Sequence, residues 1–248
     1  MVGRPAHGGA GFVTGEDLLE RLERAATDLE GIVRLPMVFV GGSTMPLYVG
    51  EMAVNALRET QDVDVMVEAA SYLEFAEMEE RLRGAGFRQD IAQAAPRCRW
   101  FRGDQQYDIV DVRTDHPNDR WSRPTGAGIE ERALPSGRVI PVLSPGRFLA
   151  AKIAAVQDRG GAHWYDSPDF EDIVLLLESH PQLQPWLAAT PPDAVVAVAA
   201  WAESASRRAG IREEIEATVT RGAGLDQRVQ AVFDRLLWLA FAWGRIAE

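Results

Sequence analysis

The sequence predicts an α+β fold: a mixed α/β half, in which helices flank a twisted sheet, followed by an all-helical part. Two patterns support this prediction. Up to residue 143, short apolar runs that end at turn residues alternate with segments of helical periodicity. Beyond Pro185, the segments are rich in Ala, Leu and Trp and keep helical spacing. We therefore expect a flexible N-terminus over 1–13, an α/β core over 14–143, and a helical region over 144–248 that packs on the cleft.

The first predicted elements are a helix, a buried strand and a second helix. Thr14 can cap the first helix, because Asp17 follows it at capping-box spacing and leucines recur behind it with helical periodicity. Met37–Val40 is a short apolar run that ends at Gly41, which is typical of a buried strand. Ser43, or the threonine that follows it, is then placed to cap the second helix.

The remaining elements are predicted from apolar periodicity and from the turn residues between segments. The predicted strands are 62–67, 98–102, 105–112 and 138–143. The second and third of these form a hairpin, because Gly103 and Asp104 separate them. The predicted helices are 70–84, 144–156, 167–177, 193–208, 212–220 and 226–247.

Composition narrows the class of protein. The net charge of −11 argues against broad, nonspecific binding to nucleic acid, which usually requires a basic face. A lone cysteine, Cys98, cannot form a disulfide framework within the chain or a multi-cysteine zinc site. No run approaches the roughly 18 apolar residues of a membrane span, and the first residues lack the apolar run of a secretory signal. We therefore expect a cytoplasmic protein with no membrane association.

The first candidate site residues are Gly41, Gly42 and Ser43, where a strand runs into a helix. Glycines allow the backbone to approach a phosphate closely, and a helix N-terminus presents free N–H groups to an anion. An ordinary turn has the same pattern, so a functional interpretation of this motif needs support from the residues that follow it.

The second candidate is the pair Asp62 and Asp64 on a predicted strand. Residues two apart on a strand share a face, so both carboxylates point to one side while Val63 and Val65 point to the other. Two carboxylates this close repel each other unless a hard cation lies between them, and Mg²⁺ prefers oxygen ligands. The alternative is a solvated strand edge with unrelated acidic residues.

A third carboxylate is expected on the later strand that contains Asp108 and Asp111. Two-metal phosphoryl transfer uses such a group to hold the ion on the side of the attacking hydroxyl. The two residues are three apart and lie on opposite faces of a strand, so only one of them can face the site. We choose Asp108, with Tyr107 and Ile109 on the buried face.

The lone lysine is a further candidate. Of the 26 basic residues, 25 are Arg and one is Lys152, which lies in an almost wholly apolar helical segment. A buried ammonium needs a counter-charge, which Asp172 on the next helix or a bound triphosphate could supply, with Asp169 assisting. The alternative is a lysine at the edge of the helix whose ammonium reaches solvent.

These residues occur in the order typical of one enzyme superfamily. Gly41-Gly42-Ser43, then Asp62-x-Asp64, then Asp108 on a later strand resembles nucleotidyltransferases of the DNA polymerase β type. More narrowly, the later Lys152 and Asp172 helices resemble the AbiEii-type family of abortive-infection toxins. The resemblance covers roughly 38–177, and the C-terminal helices lie outside it.

The resemblance implies a transfer of a nucleoside monophosphate from a nucleoside triphosphate to an acceptor hydroxyl, with two Mg²⁺ ions. It implies that Asp62, Asp64 and Asp108 hold the ions. The triphosphate would be bound by the remaining candidate residues, namely Gly41, Gly42, Ser43, Lys152 and Asp172. The acceptor implied is tRNA or protein, as for a toxin with a cognate antitoxin.

Two other functions fit the same residues. One is a nucleotidyltransferase that acts on a small molecule of the aminoglycoside type, because an acidic chain suits a polycationic acceptor. The other is a non-catalytic relative that serves as a binding module. A basic groove near the aspartates would favour an RNA acceptor, and an acidic groove would favour the small cationic molecule.

Overall fold

The computed structural model describes residues 14–49, 57–91, 96–112, 119–159, 161, 163–180, 182–219, 222–241 and 243. Within these residues the predicted α+β fold is confirmed, because strands in one mixed sheet combine with α-helices. The predicted flexible segment 1–13 lies outside them.

The elements are numbered here in chain order. The strands are β1 (Met37–Val40), β2 (Asp62–Val67), β3 (Arg88–Gln89), β4 (Arg99–Arg102), β5 (Gln105–Asp111), β6 (Ile129–Ala133) and β7 (Val139–Leu143). The α-helices are α1 (Gly15–Leu29), α2 (Tyr72–Gly84), α3 (Pro145–Arg159), α4 (Pro168–Ser179), α5 (Leu183–Trp186), α6 (Pro192–Ser206), α7 (Ile211–Thr218) and α8 (Leu225–Phe241). Short 3-10 helices cover Gly42–Leu47, Asp119–Trp121 and Trp164–Asp166.

The strand order of the sheet brings distant parts of the chain together. The order is β3-β4-β5-β2-β1-β7-β6. Strands β2 and β5 run parallel, as do β1 and β7, whereas the other neighbours pair antiparallel. The register of β2 and β5 puts Asp64 directly opposite Asp108. Neighbouring strands lie about 4.8 Å apart, so this register brings two candidate residues into one place.

Helix α1 begins with the predicted capping box. The Thr14 hydroxyl accepts a hydrogen bond from the Asp17 N–H at 3.2 Å, and the Asp17 carboxylate accepts one from the Thr14 N–H at 2.7 Å. Leu18 and Leu22 are fully buried on one face of the helix. That face packs against β2 and the 3-10 helix Gly42–Leu47, so α1 supports the segment that follows β1.

Several elements differ from the sequence-based predictions. The predicted helix after Gly41 is a 3-10 helix, and Pro46 inside it has no N–H for an α-helical hydrogen bond. Strand β6 was not predicted because its Ile-Glu-Glu-Arg-Ala sequence is mostly charged, as suits an edge strand. Strand β3 and helix α5 are too short, at two and four residues, to show a period.

The C-terminal helices share one hydrophobic core with the sheet. Helix α3 packs on α4 and α6, and α6 packs on α8. The buried apolar residues form a continuous cluster from Leu22 in α1 to Trp243. In the part of the chain that the structure describes, no helix has the length and apolar character needed to cross a membrane.

Candidate active site

A cavity of about 940 Å³ brings together most of the candidate residues. Its walls include the end of β1 and the two glycines after it, the aspartates of β2 and β5, and side chains from α3 and α4. The candidate residues that line it are Gly41, Gly42, Asp62, Asp64, Asp108, Lys152 and Asp169.

Three carboxylates converge on one side of this cavity. Asp62, Asp64 and Asp108 each offer an oxygen, and these oxygens lie within 4.8 Å of one another. Asp62 and Asp64 share a face of β2, while the valines between and after them are fully buried on the other face. Asp111 lies three residues beyond Asp108 and is not part of this group. The structure therefore brings Asp108 to the pair.

The three carboxylates form an unfavourable group of charges. Burial, with the neighbouring Asp62 and Asp108 charges, raises the pKa of Asp64 to about 7, although Lys152 and Arg58 oppose the shift. A divalent cation would relieve this repulsion, and an all-oxygen donor set suits Mg²⁺. The residues present therefore fit the metal that the sequence implied.

Arg99 on β4 contacts the same group of carboxylates. Its Nε and Nη2 donate to the two oxygens of Asp108 at 2.9 and 2.8 Å, and Nη2 lies 3.8 Å from Asp62 Oδ2. These hydrogen bonds with Asp108 raise the pKa of Arg99. The ion pair was not predicted, although the two-residue turn of the β4–β5 hairpin fixes a register that pairs Arg99 with Asp108.

Gly41 is required at its position by the carboxylate beside it. Its φ of 76° is in the region that favours glycine, and a Cβ there would lie 1.9 Å from Asp64 Oδ2. A Cβ on Gly42 would lie 2.6 Å from Arg58 Nη2. The sequence predicts a close approach between these glycines and a phosphate. In the structure, the side chains of Asp64 and Arg58 lie close to them.

Ser43 is placed behind the wall of the cavity. It is fully buried, it does not line the cavity, and its hydroxyl donates to the Val40 carbonyl at 3.5 Å. Its hydroxyl therefore points away from the position at which a phosphate contact was predicted.

Lys152 is buried and paired with two carboxylates. Its Nζ lies 2.6 Å from Asp172 Oδ2 and 3.2 Å from Asp169 Oδ1, and its side chain is 6% exposed. Burial lowers the pKa of Lys152, but Asp172 and Asp169 outweigh burial and raise it. The ammonium is therefore charged and held in the wall, and it does not reach solvent at a helix edge.

Two arginines that were not predicted complete this network. Arg58 donates from Nε and Nη2 to both oxygens of Asp172 at 3.2 and 3.3 Å. Arg159 donates to Asp169 at 2.9 Å. Neither arginine lies in a recognisable motif, and Arg58 lies in the loop before β2, so only the tertiary fold reveals these contacts.

The cavity thus has two walls of different charge. We call Asp62, Asp64, Asp108 and Arg99 the carboxylate wall. We call Arg58, Lys152, Arg159 and Asp169 the cation wall, together with Asp172, which pairs with Lys152 and Arg58 from behind the lining. Among these described residues, the carboxylate wall carries two more negative than positive charges, and the cation wall one more positive than negative.

Comparisons with known proteins gave similarities among solved structures. No protein family model matches the chain, and no curated protein matches it in sequence. The crystal structure of JHP933 from Helicobacter pylori is similar with a TM-score of 0.49 and 11% identity, over 94% of this chain and 96% of that chain. An H. pylori protein provisionally named a nucleotidyltransferase is similar with a TM-score of 0.48 and 12% identity, over 93% and 98% of the two chains.

The geometry suits a ligand that carries both a metal ion and phosphates. The carboxylate wall offers oxygen ligands to a divalent cation, and the cation wall of the same cavity offers positive charge to anionic groups. At the mouth, Asp158 and Asp166 are exposed and add negative charge to the rim.

Proposed function

We propose that the protein is a magnesium-dependent nucleotidyltransferase that moves a nucleoside monophosphate from a nucleoside triphosphate to an acceptor hydroxyl. One observation carries this proposal. Three carboxylates from two adjacent parallel strands converge in a cavity whose other wall has an excess of positive charge. A metal–triphosphate complex has the complementary charge distribution, since its cation and its phosphates need opposite partners.

Each wall has its own role in this proposal. Asp62 and Asp64 would hold the two ions, and Asp108 would complete the ligands of the ion on the acceptor side. When bound, two Mg²⁺ ions would lower the pKa of the acceptor hydroxyl and neutralise the leaving pyrophosphate. Lys152 and Arg58 are fixed by Asp172 in the cation wall, where they would bind the β- and γ-phosphates.

The reaction replaces one phosphorus–oxygen bond by another. The acceptor oxygen bonds to the α-phosphorus and loses its proton to solvent water, while the bond from the α-phosphorus to the bridging oxygen breaks and pyrophosphate leaves. The backbone of Gly41 and Gly42 lines the cavity beside Asp64, where it would fix the position of the triphosphate. The phosphate contact predicted for the Ser43 hydroxyl is not part of this mechanism, because that hydroxyl faces Val40.

The test is calorimetric binding of each of the four ribonucleoside triphosphates, with magnesium and with EDTA. We expect magnesium-dependent binding of at least one triphosphate to the wild type. Asp62→Ala/Asp64→Ala should lose it, because the ligands of the metal are gone. Asp104→Ala is the matched control, since Asp104 is an exposed aspartate in the β4–β5 turn, outside the cavity.

The outcomes separate an enzyme from a binding module. Magnesium-dependent binding followed by pyrophosphate release with an acceptor establishes the reaction. Binding of no triphosphate by folded wild-type protein would refute the enzyme and favour the non-catalytic relative. Binding that survives Asp62→Ala/Asp64→Ala would place the nucleotide away from the carboxylate wall.

The acceptor is a separate part of the proposal. A tRNA or protein acceptor, with toxic activity and a cognate antitoxin, is what the motif order suggests. Among the exposed charged residues that line the cavity, Asp158 and Asp166 outnumber Arg159, and this negative excess favours the second candidate, a small polycationic acceptor, over an RNA backbone. Labelled triphosphate incubated in parallel with tRNA and with an aminoglycoside distinguishes the two, because only the true acceptor becomes labelled.

A further inference from the structure

Arg99 occupies both oxygens of Asp108. Its guanidinium donates from Nε to Oδ1 and from Nη2 to Oδ2, which is the bidentate geometry of strong arginine–carboxylate pairs. The Arg99 side chain is 26% exposed and that of Asp108 is 12% exposed, so the contact is partly shielded from water. Such a pair is stronger than an exposed one, and it uses the oxygens that a metal ion would need.

A divalent cation bound by these carboxylates would lie next to the Arg99 guanidinium. The same Nη2 lies 3.8 Å from Asp62 Oδ2, so the guanidinium lies between two of the three proposed metal ligands. A magnesium ion bound to these oxygens at about 2.1 Å would lie close to the guanidinium, and the two positive charges would repel.

We propose that Arg99 is a positioning residue that competes with the metal for Asp108, so that loading of the metal requires release of the Arg99–Asp108 ion pair. The inference rests on the proposed function. In the protein without metal, Arg99 supplies the positive charge that holds Asp108 beside Asp62 and Asp64. When the metal binds, Asp108 exchanges one cation for the other, and Arg99 moves away from both aspartates.

The position of Arg99 on a strand makes this exchange local. Strands β4 and β5 form a hairpin in which Arg99 pairs with Asp108, so only the arginine side chain needs to rotate. Because Arg99 is partly exposed, its guanidinium can exchange Asp108 for water without opening the core.

The test is a titration of wild type and Arg99→Gln with Mn²⁺ in the absence of nucleotide. Electron paramagnetic resonance measures the concentration of free Mn²⁺ at each step. Arg99→Gln should bind Mn²⁺ about tenfold more tightly, because the metal no longer displaces a charge-assisted ion pair. Arg159→Gln is the charge-matched control: it removes one positive charge from the same cavity but leaves Asp108 paired, and its affinity should change by less than about threefold.

A double-mutant cycle separates competition from simple charge repulsion. In an Asp108→Asn background, Arg99 has lost its bidentate partner and keeps only the 3.8 Å contact with Asp62, so Arg99→Gln should tighten Mn²⁺ binding by clearly less than it does with Asp108 present. Arg99→Lys keeps the charge but cannot make the bidentate contact, and it should show an intermediate gain. Circular dichroism establishes that each variant is folded.

Several results would overturn the inference. One is an Mn²⁺ affinity of Arg99→Gln no higher than that of wild type, and another is a gain in affinity of the same size in the Asp108→Asn background. Asp64→Asn could lose Mn²⁺ binding while Arg99→Gln keeps the Mn²⁺ affinity of wild type. This result would support the metal site of the proposed function and refute only the competition by Arg99. Absence of Mn²⁺ binding in every variant would refute both, whereas binding in Arg99→Gln alone would support the competition strongly.

Discussion

The two walls of the cavity hold similar numbers of charged groups but pair them differently. In the cation wall, Asp172 contacts Lys152 and Arg58, and Asp169 contacts Lys152 and Arg159. Each carboxylate there has two cationic partners. In the carboxylate wall, three aspartates lie together, and among the described residues the guanidinium in contact with them is that of Arg99.

The difference separates a wall whose charges are compensated within the protein from a wall whose charges are not. Burial of charge is tolerated where every group is paired, and removal of one partner then leaves an uncompensated buried charge. The cation wall meets that condition within the protein. The carboxylate wall does not, and the raised pKa of Asp64 reflects its excess of negative charge. We therefore expect substitutions in the cation wall to reduce stability and those in the carboxylate wall to alter metal binding.

The largest expected effect on stability is at Lys152. Lys152→Met keeps the shape of the side chain but leaves Asp172, which is 2% exposed, with one partner fewer. We expect a loss of about 3–5 kcal/mol in the free energy of unfolding, measured by urea denaturation. Arg159→Gln is the control, because that side chain is 68% exposed and its loss should cost less than about 1 kcal/mol. Equal losses for both variants would contradict the argument from burial, because both residues lie in the cation wall and differ mainly in exposure.

The next largest effect concerns Gly41, which supports the carboxylate wall. Gly41→Ala should cost about 1–3 kcal/mol for the positive φ and should also displace Asp64, since the new Cβ would lie 1.9 Å from Oδ2. Gly31→Ala is a matched control: its φ of 71° carries a similar conformational cost, but no heavy atom lies within 4 Å of the new Cβ. Calorimetry should show weaker metal binding only in Gly41→Ala, and equal binding in both variants would contradict the steric argument.

The sequence predicts the carboxylate wall better than the cation wall, for a physical reason. Asp62 and Asp64 follow from the two-residue period of a strand, and the choice of Asp108 over Asp111 follows from the same period. Arg99 could also have been found, because a two-residue turn fixes the register of the β4–β5 hairpin. These inferences need only local geometry.

The cation wall depends on contacts that local patterns do not encode. Arg58 and Asp172 are separated by 114 residues, and their contact exists only because the loop before β2 and helix α4 reach the same cavity. Lys152 was predicted as a candidate because it is the sole lysine in an apolar segment, with Asp172 and Asp169 as its expected partners, but no local pattern indicates that Arg58 and Arg159 share those carboxylates. Strand β6 was missed for a related reason, since its charges show no period of burial.

The last expected effect is a pH dependence that belongs to the carboxylate wall. The pKa of Asp64 is about 7 in the folded protein and near 3.8 when the carboxyl is unperturbed, so between these values the folded state binds more protons than the unfolded state. The contribution of Asp64 to stability is therefore fully present below about pH 4 and is lost as the pH rises through about 7. Asp64 cannot change the free energy of unfolding by more than about 1.4 kcal/mol per pH unit, which is the limit for one proton.

Urea denaturation in EDTA across this range measures the slope. Asp64→Asn should remove the decline attributed to Asp64, and Asp104→Asn, on an exposed carboxylate of the β4–β5 turn, should retain it. Saturating magnesium should also remove the decline, because a bound cation replaces the proton and stabilises the ionised carboxylate. An identical slope in wild type and Asp64→Asn would mean that the carboxylates are fully ionised without metal, and that Arg99 alone is sufficient to compensate them.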